Sequence, residues 1–281
     1  MKYSFSIWPK SRINERDLSY ASSMGFENIE VSLEYPWPFW DSNSFNEIMK
    51  LLRDQGFSLG AHLPWRDLVI ASPYEEVRRG AIAYIMRLLE VMTKWDFKYA
   101  VAHFSTREKV RFGNRDYLFP IILEMKDAAE KFKDAGIIFA VENAPYGPLA
   151  VKESFVQLLR ELDGNACLDL GHVVARLISN GENQLSMVES MINDWVSSIA
   201  EKTSVVHVHG VAKINGNVVE HMRISGYEKY FAKSLNILEK LGRDPFVTLE
   251  VFFKDERLVD ADIETVIREL SLLKEARISA F

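Results

Sequence analysis

Along the chain, short runs rich in β-branched and aromatic residues alternate with longer segments whose apolar positions recur at helical spacing. The strand-like runs are YSFSIW (3–8), FENIEVSL (26–33), SLGAHL (58–63), YAVAHF (99–104), IIFAVEN (137–143), ACLDL (166–170), SVVHVHG (204–210) and FVTLEVF (246–252). Between and after them the periodicity predicts helices over about 15–23, 44–55, 74–95, 117–135, 151–162, 184–202, 227–241 and 260–276. That is eight strand–helix units.

The punctuation agrees with the pattern. Gly136 and Gly242 each stand between a helical segment and the strand that follows, where a left-handed residue stops a helix. In 74–95, Val77, Ile82, Ile85, Leu88, Leu89 and Met92 fall near one stripe, with Glu75, Arg78, Arg79 and Arg87 largely elsewhere, as in a helix lying on a sheet. Eight such units in one chain predict an α/β fold, a single (β/α)8 barrel occupying residues 1–281, with its active site at the carboxyl ends of the strands. A doubly wound open sheet fits less well, because no glycine-rich phosphate loop follows the first strand.

Composition narrows the function more than the fold. With 281 residues, 48% of them hydrophobic, the chain can bury a large core, and no Pro-, Gly- or Ser-rich linker divides it. Thirty-four basic against 40 acidic residues give a net charge of -6, which favours small-molecule chemistry over a nucleic-acid surface. The single cysteine, Cys167, excludes an intrachain disulfide and a cysteine-rich zinc site, and its expected role is packing. The amino terminus, MKYSFSIWPK, has no signal-peptide apolar run, and nowhere do about 18 apolar residues follow one another. A cytoplasmic protein without a membrane partner is expected.

The polar residues then fall where a barrel needs them. His62, His103, Glu142 and Asp169 close strands three to six, His172 follows three residues after Asp169, and His207 and His209 close strand seven. His221 lies in the loop beyond, and Glu250 lies near the end of strand eight. A lone Asp-x-x-His is also what a helix cap beside a surface histidine looks like. A carboxylate inside AVEN or TLEVF is harder to dismiss, because an unpaired charge in so apolar a run is costly to bury. Taken together, these residues predict a divalent cation held by carboxylate and imidazole, a donor set suited to Zn or Mn, with Co or Mg also compatible. His207 and His209 share a strand face, so both or only one can reach the cation; His209, nearer the rim, is preferred. Trp8, Trp37, Trp40 and Trp65 follow strand ends, where Trp8, Trp37 and Trp65 are expected to form aromatic walls against a substrate.

The series HLPW (62–65), AHF (102–104), VEN (141–143), LDLGH (168–172), HVHG (207–210), EHMRISGY (220–227) and LEV (249–251) resembles the xylose isomerase-like TIM barrel superfamily. That group includes sugar isomerases and epimerases and apurinic/apyrimidinic (AP) endonucleases of the endonuclease IV type. The resemblance implies a metal set of Glu142, Asp169, His209 and Glu250. It implies a substrate contact or an additional metal ligand at His172, and further zinc ligands at His62, His103 and His221. As an isomerase or epimerase of a sugar or sugar phosphate, the chain would move a proton beside a carbonyl. Glu142 and Glu250 would serve as base and acid, the cation would stabilise the enediolate oxygens, and His172 and Arg223 would hold hydroxyl or phosphate groups.

The alternative the resemblance implies is a zinc-dependent AP endonuclease, and only then a nucleic-acid partner. Against it, the acidic ligand two residues before His221 is replaced by Val219. The His-Pro-Gly after strand four is His103-Phe104-Ser105, Glu-Asn-Thr-Ala-Gly is Glu142-Asn143-Ala144-Pro145-Tyr146, Asn-Asp-Ser is His209-Gly210-Val211, and the DNA-opening wedge would be Trp65-Arg66. A third reading is a barrel that binds a sugar or a protein without catalysis.

Overall fold

Eight parallel strands close on themselves in the order β1-β10-β7-β6-β5-β4-β3-β2. They are β1 (Lys2–Ile7), β2 (Phe26–Ser32), β3 (Ser58–His62), β4 (Phe97–His103), β5 (Ile138–Glu142), β6 (Asn165–Asp169), β7 (Thr203–Val208) and β10 (Phe246–Leu249). The structure is a computed structural model, and it describes residues 1–104, 115–181 and 185–279. Ser105 and the first residue of the 184–202 segment lie outside the described residues.

The helices are α1 (Glu15–Ser23), α2 (Ser42–Asp54), α3 (Glu75–Lys94), α4 (Arg115–Asp134), α5 (Lys152–Leu162), α6 (Leu170–Ser179), α7 (Leu185–Ile199), α8 (Glu228–Lys240) and α9 (Ile263–Ser279). All eight expected strands and all eight expected helices are present, so the chain forms the (β/α)8 barrel that the alternation predicts. Gly136 and Gly242 have the left-handed φ values, 74° and 71°, that a helix stop requires. No helix among the described residues is long and apolar enough to cross a membrane.

Two elements stand outside the eight expected strand–helix units. Helix α6 starts directly at the end of β6 and buries seven of its ten residues, Leu170 to Ala175 and Leu177, although His172, Arg176 and Ser179 recur at helical spacing along one face. The second is a two-stranded hairpin, β8 (Gly210–Ile214) and β9 (Asn217–Met222), inserted after β7. Its Asn215–Gly216 turn, with φ of 50° and 83°, is the strongest short hairpin signal a sequence carries. A third difference concerns α3: Val77 is 48% exposed, whereas Arg78 is buried and donates from Nε to Glu124 Oε2 at 2.6 Å. The charge faces inward because a carboxylate on α4 receives it.

The core has two compartments. Outward strand residues pack under the helices in one large apolar cluster. Inside the barrel, Tyr99, Val101, Ala140, Cys167 and Val205 form a smaller fully buried layer. Gly60 makes room for Tyr99 there, since a Cβ at position 60 would lie 2.1 Å from its ring. Above that layer every inward column turns polar.

Candidate metal centre

Parallel register brings the strand ends level. His103 pairs with Glu142, and Asp169 and Thr248 both pair with His207. His62, His103, Glu142 and Asp169 are the last residues of their strands, and Glu250 follows β10 directly. Inward alternation then turns all of them into the barrel mouth.

The central group is Glu142, Asp169, His207 and Glu250, with ligand atoms all within 4.8 Å of one another. Nδ1 of His207 stands 3.5 Å from Glu142 Oε1, 3.9 Å from Asp169 Oδ2 and 3.3 Å from Glu250 Oε2. The ring that joins the three carboxylates is therefore His207, and not the expected His209. The register explains this: His207 is level with Asp169, while His209 stands one inward step higher, beyond the end of β7.

Two further groups adjoin the first. His62 and His103 approach each other at 3.2 Å between Nε2 atoms, and lie 3.5 and 2.9 Å from Glu142 Oε2. On the other side His172, His209 and His221 form a cluster, with ring centroids of His209 and His221 4.2 Å apart. Asp169 connects this cluster to the centre through a 3.2 Å contact between Oδ1 and His209 Nε2. Glu142 is thus shared by the central and His62–His103 groups.

The bonding of these residues fits a cation. Glu142 Oε2, Asp169 Oδ2, His207 Nδ1, His209 Nε2, Glu220 Oε1 and His221 Nδ1 are all buried and make no hydrogen bond. Orphaned polar atoms are costly to bury; five of these six belong to residues of the ligand groups at the mouth, where a cation would satisfy them. The outer contacts point the same way. Asp169 is held by Asn143, which accepts the Asp169 N–H at 2.7 Å and donates to its carbonyl at 3.0 Å. His172 gives its Nδ1 proton to Asn143 O at 2.8 Å, leaving Nε2 as a lone pair. His207 Nε2 meets Glu30 Oε2 at 3.0 Å, which turns Nδ1 to the carboxylates.

The same groups also neutralise one another. Burial pulls His62 down, but the carboxylate of Glu142 overrides it and carries the ring up to about 9. His209 also ends at about 9, burial opposing and Asp169 prevailing. Burial raises the Glu142 carboxyl, yet the charges of His103 and His207 hold it well below the carboxylate range. His221 is pushed well down by burial and by its neighbours His209 and His172. Burial also raises Cys167, a thiol inside the barrel, in keeping with a packing role.

The remaining expected site residues divide. Trp65 stacks on His103 at 5.5 Å, and Trp8 lies 6.4 Å from His62, so both border the site. Trp37 does not: it is 3% exposed, packs on Phe45, and donates its indole N–H to Ser44. Arg223 is turned away, with Nε 2.6 Å from the buried Glu269 Oε1. Asp169 also caps α6, its Oδ1 accepting from His172 N at 2.6 Å, so the helix-cap reading and the site reading describe one residue. Gly171 is needed for close approach and not for a turn: it lies inside α6, and a Cβ there would sit 2.3 Å from the His209 ring.

Sequence reasoning missed Glu30 and Glu220. Glu30 sits inside NIEVSL, and the cost argument applied to Glu142 and Glu250 covers it equally. It is fully buried and also accepts from Tyr99 and Thr248. Glu220 carries no signal of its own; the hairpin places it, with Oε1 3.5 Å from His172 Nε2.

Fold and site together define a (β/α)8 barrel whose mouth is a buried assembly of imidazole and carboxylate. The family described as xylose isomerase-like TIM barrel matches residues 18–275, and the chain belongs to it. No curated protein matches the sequence. Among solved structures, the chain is similar to a D-tagatose 3-epimerase-like protein at 18% identity, with a TM-score of 0.71 over 100% of this chain and 98% of that one. It is similar to D-psicose 3-epimerase with D-tagatose from Clostridium cellulolyticum H10 at 16% identity, TM-score 0.69, over 100% and 99%. A xylose isomerase-like TIM barrel protein from Mycobacterium smegmatis in complex with magnesium matches at 13% identity, TM-score 0.66, over 95% and 89%. At these identities the likeness is one of fold.

Proposed function

We propose that the chain is a divalent-metal-dependent isomerase or epimerase of a sugar or sugar phosphate, working by proton transfer beside a carbonyl. The observation that carries this reading is the approach of Glu142 and Glu250 to one atom, His207 Nδ1, from strands three places apart in the barrel. A substrate carbon between them would meet one carboxylate on each side, as base and acid. Asp169 and His207 complete the set that would hold the cation, Zn or Mn by donor type. When bound, the metal supplies Lewis-acid stabilisation of charge developing on the carbonyl oxygen. Trp65 and Trp8 border the site and exclude water from it. The sugars named for neighbouring folds, among them D-tagatose and D-fructose, support this substrate class.

A second reading is favoured by one specific observation, that several overlapping ligand groups and not one are assembled at the mouth. Several cations side by side suit attack of an activated water on a phosphodiester, as in an AP endonuclease. The net charge of -6 supplies no general attraction for a duplex.

Solvent-deuterium exchange into a panel of ketoses and ketose phosphates tests the first reading. Deuterium should enter at a carbon beside the carbonyl, and Glu142→Gln or Glu250→Gln should abolish it. No exchange into any member, together with incision of an abasic-site duplex, gives the site to the second reading. A protein that acquires no divalent metal overturns both.

A further inference from the structure

The loop after β3 is anchored by a carboxylate. Glu34, buried just beyond β2, accepts the Trp65 amide at 3.0 Å through Oε1, and the Arg66 amide lies 3.5 Å from the same oxygen. The guanidinium carbon of Arg66 then stands 5.6 Å from the ring centroid of Trp8 and 5.6 Å from that of Trp65, a cation–π contact with each. Those two indoles border the ligand groups, Trp65 against His103 and Trp8 against His62, so one ring separates the guanidinium from each histidine. Backbone and side chain of Arg66 are thus both positioned. Its forked N–H donors nevertheless have no ion pair and no hydrogen bond among the described residues. The indole N–H of Trp8 has no acceptor either.

Resting on the isomerase or epimerase reading above, we infer that Arg66 is an anion subsite and that the substrate carries a phosphate or carboxylate at the end remote from its carbonyl. A planar guanidinium matches either oxyanion with two parallel N–H bonds, and the flanking indoles hold it in one orientation. Electrostatics decides where such a group can lie. Glu142, Asp169 and Glu250 surround His207 Nδ1, more negative charge than one divalent cation cancels, and Glu220 adds another carboxylate beside His172. An oxyanion is repelled from both places and drawn to the side of His62 and His103, where Arg66 stands. Arg223, the arginine expected from the sequence to hold a phosphate, is committed to Glu269. Arg66 is exposed at the rim, so water meets its donors until an anion displaces it. The substrate is then bound in one direction, its carbonyl among the carboxylates and its charged end at the guanidinium.

The test is calorimetric titration of the metal-loaded full chain with D-fructose, D-fructose 6-phosphate and D-fructuronate, and with D-ribulose and D-ribulose 5-phosphate as a shorter pair. At least one charged probe should bind about tenfold or more tighter than its neutral parent, and whether that probe is a phosphate or a carboxylate names the anion. Arg66→Met keeps the apolar stem between the indoles and removes the fork, and should abolish the preference. Arg66→Lys keeps the charge without the fork and should retain part of it. Equal affinity for charged and neutral probes, or no binding of any charged probe, overturns the subsite. A preference that persists in Arg66→Met also overturns it and gives the anion to the cation instead. Solvent-deuterium exchange separates this inference from the reading it rests on. Exchange into D-fructose as readily as into the charged probes, at equal affinity, overturns the subsite and leaves the isomerase standing. A preference that depends on Arg66, with no exchange into any probe, keeps the subsite and removes the isomerase.

Discussion

Nε2 of His207 lies 3.0 Å from Oε2 of Glu30, with both side chains fully buried, and this pairing decides which nitrogen of the ring faces the three carboxylates. Glu30 is itself fixed by Tyr99 OH at 2.9 Å and Thr248 Oγ1 at 3.2 Å. The arrangement is a carboxylate–histidine pair behind a metal position, which fixes the tautomer and raises ligand basicity. Glu30→Gln keeps the shape and removes the charge. It should weaken divalent-metal affinity by about 10- to 100-fold in a competition titration against a chelating dye, with Tyr99→Phe weaker in the same direction. Unchanged affinity would detach His207 from the metal.

Glycine substitutions separate close approach from helix propensity. Alanine in an exposed helix gains about 0.5–1 kcal/mol over glycine, and Gly80→Ala, with nothing within 4 Å of the added Cβ, should show that gain in urea unfolding. Gly171→Ala should have the opposite sign, costing about 1–3 kcal/mol, because the new Cβ meets the His209 ring at 2.3 Å. A stabilised Gly171→Ala would mean that His209 is free to move aside.

The pH dependence of stability should differ with and without metal. In the metal-free chain His62 and His209 titrate at about 9, above the ordinary value of 6.5. Their contribution is complete below 6.5 and is lost as pH rises through 9, so chelated protein should lose stability across that window. Metal-loaded protein, with both rings deprotonated like those of the unfolded chain above 6.5, should hold that contribution level over the same window. Zinc added at pH 7 should release protons, visible by calorimetry as a heat that depends on the buffer.

Arg223 gives a contrast between stability and substrate binding. Its guanidinium neutralises the fully buried Glu269, whose other oxygen accepts from Ile224 N at 2.9 Å. Arg223→Ala should destabilise by about 2 kcal/mol, less than a fully buried pair because the arginine is partly in solvent. The KM for any substrate found should stay unchanged. A raised KM at normal stability would restore Arg223 to the substrate.

The barrel was legible because eight strand–helix units each carry their own periodicity, and Gly136 and Gly242 their own stops. Helix α6 follows β6 without a connecting loop, so its His172, Arg176 and Ser179, although at helical spacing, run on directly from the strand that ends at Asp169. The hairpin was readable in Asn215–Gly216, a tight-turn pair between GVAKI and NVVEHM.

By itself, the order of residues determined the fold and the supply of donors, since alternation along a strand and the carboxyl-end rule place six histidines and several carboxylates at one rim. Only the tertiary structure decided how they are grouped. Whether His207 or His209 joins Glu142, Asp169 and Glu250 depends on the register between β6, β7 and β10, a relation between strands far apart in the chain. Residue spacing sets which side chains share a face; the stagger of neighbouring strands sets which of them share a space.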